Sequence, residues 1–141
     1  MRVRLAGKNT RVADRRNHRA RFSPEPETVA AMRRFLRESL AEVDPEVVHD
    51  AAVLASEVAA NVVEHALTDY EVRVKGSDQV LRVEIADGSS VIPAVQDLAV
   101  DAERGRGLQL LAGIAQAWGV EETTTGKYVW FELHIKSPQD H

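Results

Sequence analysis

Ser56-Glu57-Val58-Ala59-Ala60-Asn61-Val62-Val63-Glu64-His65-Ala66 is the stretch on which the reading of this chain turns. It lies in a helical pattern that opens at Asp44-Pro45, with Asp44 as N-cap and Pro45 at the first helical position, and runs to about Leu67. Glu57 and Asn61 are four residues apart, so they project from one side of that helix, one turn above the other. A carboxylate and an amide oxygen are hard donors suited to magnesium, which keeps several waters and takes one or two protein ligands beside substrate phosphates. The bland reading stands beside this one: Asp50, Glu57, Asn61 and Glu64 fall near one stripe, as on any solvated helix face.

Before this helix, Arg19 to Phe22 reads as a short strand and Ser23-Pro24-Glu25-Pro26 as a break. An amphipathic helix should follow, because Val29, Met32, Phe35, Leu36 and Leu40 recur at helical spacing opposite Arg33, Arg34, Arg37 and Glu38. Beyond the helix, Glu71 to Lys75 alternates, and Leu81, Val83 and Ile85 share one phase against Arg82 and Glu84. These two stretches form a hairpin through Gly76-Ser77-Asp78. Ser89 to Arg104 is a long connection, and Leu108 to Ala117 reads as an apolar helix closed by Trp118-Gly119 as a glycine C-cap. A second hairpin joins Val120–Thr124 to Val129–Ile135 across Thr125-Gly126-Lys127. Hairpins and one-sided helices predict an α+β, two-layer sandwich, with a mixed, mainly antiparallel sheet covered on one face by helices.

Asp87 continues the phase of Leu81, Val83 and Ile85, so its carboxylate should point into the core and needs a hydrogen-bond donor there. The plain alternative is that Asp87 starts a turn with Gly88 and Ser89. Gly105-Arg106-Gly107-Leu108 leads straight into a helix, where glycines let the backbone approach a phosphate and free N–H groups offer donors.

With 141 residues and 44% hydrophobic content, the chain suits one domain with one core. No apolar run approaches the ~20 residues of a membrane span, no apolar segment follows the basic N-terminus as in a secretory signal, and there is no cysteine. A cytoplasmic protein is expected. Residues 1–22 carry eight Lys or Arg against the single acid Asp14, so a net charge of −4 divides into +7 on this arm and −11 on the rest. An acidic body argues against DNA or RNA as the main ligand; the basic arm, which as a unit ahead of the domain covers residues 1–18, reads either as a contact for nucleic acid or an acidic partner or, more plainly, as a solvated or disordered terminus. The domain proper is expected over 19–136, with a tail over 137–141.

Taken in order, Ser56–Ala66, Ile85-Ala86-Asp87-Gly88, Gly105-Arg106-Gly107-Leu108 and Gly126-Lys127-Tyr128-Val129-Trp130-Phe131-Glu132-Leu133 resemble the GHKL ATPases. That superfamily includes gyrase, histidine kinases and the anti-sigma-factor serine kinases. The resemblance runs from about Phe22 to Ile135 and is nearest to the small stand-alone anti-sigma kinases. It implies ATP and Mg²⁺ as ligands, Glu57 as the catalytic or water-orienting glutamate and Asn61 as the magnesium-binding asparagine. It further implies Asp87 and Gly88 at the adenine, with Asp87 accepting from the amino group, and Gly105, Arg106, Gly107 and Leu108 at the triphosphate beneath a lid. One departure is plain: Ser89 stands where the family's D-x-G-x-G motif has its first glycine. The activity implied is that of a serine/threonine protein kinase which phosphorylates a small antagonist protein and sequesters a sigma factor. Its alternative is a non-catalytic ATP-gated binding regulator. The sequence names neither partner, and it leaves open whether the chain forms a homodimer.

Overall fold

A computed structural model describes the backbone of residues 3–4 and all of residues 16–89 and 113–135. Six strands form one sheet in the order β1-β5-β6-β4-β3-β2: β1 is Val3–Arg4, β2 Arg16–Phe22, β3 Tyr70–Gly76, β4 Val80–Asp87, β5 Ala117–Thr123 and β6 Gly126–His134. Every pairing among the described residues is antiparallel. The basic N-terminal region thus contributes strand at both edges of the sheet: Val3 and Arg4 pair with β5, and β2 begins at Arg16, ahead of the expected Arg19.

The first helix, α1, spans Pro26–Ser39 and opens with proline at its first turn, where the missing N–H would have no partner inside the helix. Thr28 fixes this entry: its hydroxyl donates to the carbonyls of Ser23 and Glu25, 2.9 and 2.8 Å away, and lies 2.8 Å from the Tyr70 hydroxyl. The second helix, α2, spans Pro45–Asn61 and starts as its sequence predicts, with the Asp44 side chain accepting from the Glu46 N–H at 2.9 Å. Its buried positions are mostly alanine (Ala51, Ala52, Ala55 and Ala59), so the helix lies close upon its neighbours, with Leu54 and Val58 filling the gaps. The apolar phase of β3, β4 and β6 meets the two helices with Val72, Val74, Leu81, Val83, Ile85 and Phe131. The result is the two-layer α+β architecture that the hairpins and one-sided helices predict.

Two features depart from the sequence reading. After Asn61 the helix widens into a π-helical turn over Val62–Ala66, sealed by the Leu67 N–H donating to the Val62 carbonyl at 2.9 Å. The expected C-cap at Trp118-Gly119 is incorrect, and so is the helix drawn up to Ala117. Gly113 and Ile114 are helical, but Ala117, Trp118 and Gly119 already belong to β5. Gly119 is flanked by Arg4 on one side and by Trp130 on the other. A residue with no side chain suits that central position opposite a bulky indole, so the glycine answers to sheet packing and not to a helix end.

Candidate functional site

The end of β4 is where the expected site residues meet others. Asp87 is 8% exposed, which confirms the inward direction that its strand phase predicts. It is paired in register with Tyr70 on one side and Lys127 on the other. Its Oδ1 accepts from the Ser89 N–H at 2.8 Å and from Lys127 Nζ at 3.0 Å. Both readings of Asp87 therefore hold at once: it starts a turn, and it is a buried carboxylate supplied with a donor. The donor is Lys127, which the sequence pattern alone places in a hairpin turn. Its signal was present, since Lys127 shares the inward phase of Val129, Phe131 and Leu133 just as Asp87 shares that of Ile85.

Backbone contacts hold this corner. The Gly88 N–H donates to Thr68 Oγ1 at 2.9 Å, tying the end of β4 to the loop that leaves α2 and the π turn. Gly126, at φ +156°, approaches so closely that a Cβ there would stand 2.0 Å from the Asp87 carbonyl oxygen. Gly88 itself is exposed.

Glu57 and Asn61 lie on the last two turns of α2, where the helix leads through the π turn and Thr68 into Tyr70, the cross-strand neighbour of Asp87. Both are partly buried, and neither side chain has a hydrogen bond or ion pair with another described residue. A helix face committed to surface salt bridges would have spent these groups. His65, beyond them, is exposed, with Nε2 3.6 Å from the Glu64 carboxylate. Among the described residues no group of three or more His, Cys, Asp or Glu can hold a metal alone. A carboxylate and an amide fit an ion that draws its remaining ligands from phosphate and water. Gly105, Arg106, Gly107 and Leu108 lie outside the described residues. A groove of about 350 Å³, lined by Leu40, Val43, Pro45, Val48 and His49 among others, sits at the opposite end of α2 and contains none of the expected site residues.

One antiparallel sheet under two helices, with a buried carboxylate at a strand end and a carboxylate and an amide on the covering helix that have no partner among the described residues, defines a two-layer α+β domain. The model of the histidine kinase-like ATPase domain family matches residues 22–133, and the chain belongs to that family. No match was found among curated proteins. The domain is therefore an ATP-binding one of the GHKL type. None of its described helices is long and apolar enough to cross a membrane.

Proposed function

We propose that the chain is an ATP- and magnesium-dependent serine/threonine protein kinase of the anti-sigma-factor kind, which phosphorylates a small antagonist protein and also binds a sigma factor. The observation that carries the reading is the Glu57–Asn61 pair: two hard-oxygen side chains one turn apart, partly buried and without partners among the described residues, on the helix that leads into the Asp87 corner. Magnesium-bound ATP, when present, supplies the transferable phosphoryl group together with neutralisation of its charge. Asn61 holds the ion through its side-chain oxygen. The Glu57 carboxylate orients the hydroxyl of the protein substrate and accepts its proton. Asp87 receives the purine, and Thr68 and Gly126 keep Asp87 in place. The sigma factor and the antagonist come from the resemblance to the anti-sigma branch; the motif order Glu57, Asn61, Asp87, Gly105, Gly107 supports the wider GHKL superfamily to which that branch belongs.

The test is phosphate transfer from radiolabelled ATP to candidate antagonist proteins, run beside calorimetry of ATP binding with and without Mg²⁺. Glu57→Ala should retain nucleotide binding and lose transfer by ~10²- to 10⁴-fold, the usual contribution of a general base. Asn61→Ala should abolish the Mg²⁺ dependence of binding. Transfer by Glu57→Ala at the wild-type rate would refute the catalytic role. No transfer by wild type to an antagonist that it binds would instead favour an ATP-gated binding regulator.

A further inference from the structure

We infer that Lys127 sets the base preference of the nucleotide site and opens it to 6-oxo purines, guanine and hypoxanthine, as well as to adenine. The inference rests on the reading of the Asp87 corner as the base site. It starts from the ion pair there: Lys127 Nζ lies 3.0 Å from Asp87 Oδ1, with side-chain exposures of 6% and 2%. Oδ1 also takes the Ser89 N–H, so it is filled by two donors. Oδ2 has no partner among the described residues. The ammonium has three N–H donors, of which the described residues take one. Among the described residues the corner therefore leaves one carboxylate oxygen and the remaining ammonium donors, side by side, for a ligand.

A carboxylate alone discriminates between purines by charge and by donor count. It accepts from the exocyclic amine of adenine and repels the O6 oxygen of guanine, which leaves two acceptors face to face in a buried site. A lysine beside it removes that penalty. Adenine is satisfied with its amine on Oδ2 and its N1 accepting from Nζ. Guanine is satisfied with N1–H on Oδ2 and O6 accepting from Nζ, a charge-assisted bond. Each base then has both its N1 and its 6-substituent paired, and unpaired groups at that edge are what generate large specificity ratios. The lysine cannot be withdrawn by a slip of β6, because Gly126 is already pressed against the backbone of Asp87 and Gly88.

The experiment is calorimetric titration of wild type and Lys127→Met with the Mg²⁺ complexes of ADP, GDP and IDP, with melting curves for both proteins. In wild type the three affinities should fall within about tenfold of one another, with IDP close to GDP because hypoxanthine keeps O6 and N1–H. In Lys127→Met the ADP-over-GDP ratio should rise at least about tenfold, through loss of GDP and IDP binding. A wild type that prefers ADP by more than about a hundredfold would overturn the inference while leaving the base site intact. So would an unchanged ratio in a folded Lys127→Met. If Lys127→Met fails to fold, the wild-type ratio decides alone. Failure of all three nucleotides to bind wild type would overturn the reading of this corner as a base site, and the inference with it.

Discussion

A Cβ placed on Gly126 would stand 2.0 Å from the carbonyl oxygen of Asp87 and 2.8 Å from the Cα of Gly88, both of them backbone atoms that cannot swing aside. Gly88, one residue beyond Asp87, is the opposite case. The nearest atoms to a Cβ there belong to the Thr68 side chain, at an ordinary 3.5 Å. The fold therefore requires a glycine at 126 and has no such need at 88. Gly126→Ala should lower stability by about 1–3 kcal/mol, seen in urea unfolding, because β6 must move away from β4 at the Asp87 corner. Gly88→Ala should melt within a degree or two of wild type, yet bind ADP at least about tenfold more weakly, because a ligand seated on Asp87 is what keeps that position clear. Unaltered ADP affinity in Gly88→Ala would remove Gly88 from the site. At this scale the sequence was informative wherever strand phase could be followed, as it was for Asp87. It was silent on the pairing with Lys127, because that contact joins two hairpins and depends on the β4–β6 register, which no local pattern specifies.

Among the elements, α2 ends in the manner least visible from sequence. Apolar spacing from Pro45 to Leu67 gives a helix of the right length, and the helical face bearing Glu57 and Asn61 follows from it. The π turn at Val62–Ala66 leaves the same apolar spacing nearly intact, so periodicity could not announce it. The turn closes on Leu67, held at φ 57° and ψ 32° with 68% of its surface exposed. A leucine in left-handed backbone costs about 1–2 kcal/mol, and one so exposed recovers little of that by packing. Leu67→Gly should therefore stabilise the domain, by about 1 kcal/mol at most, since glycine also loses more chain entropy on folding. A destabilised Leu67→Gly would show that the exposed leucine packs against something in solution. The glycine at 119 carries the opposite lesson. Beside a tryptophan it looks like a helix C-cap, and only its place between Arg4 and Trp130 in the sheet reveals the packing reason for it.

Across the whole molecule, the sheet face turned away from the helices carries a charge network that spans three strands. Glu84, 5% exposed at the middle of β4, receives Arg82 Nε at 2.8 Å and lies 3.4 Å from Lys75 Nζ and 3.5 Å from Arg73 Nη1. Arg82 reaches on to Glu132 at 3.0 Å and lies over the Trp130 ring at 4.2 Å. Burial alone would push the Glu84 carboxyl up, but the Arg82 hydrogen bond and the charges of Arg82 and Lys75 outweigh it and hold the group below its ordinary value of 4.5. A carboxyl depressed in the folded state binds protons more readily when the chain is unfolded. Its contribution to stability is therefore fully present above 4.5 and is lost as pH falls through the lower, folded value. Glu84→Gln removes the anion from among three cations, of which Arg82 keeps Glu132 and Arg73 keeps Glu71, so at pH 7 it should cost about 1–3 kcal/mol in urea unfolding. The difference between wild type and variant should shrink steadily below pH 4.5. Groups distant from residue 84 contribute equally to both proteins and cancel in the difference. A gap that stayed constant from pH 7 down to pH 3 would show that Glu84 contributes by shape and packing alone and not by its charge.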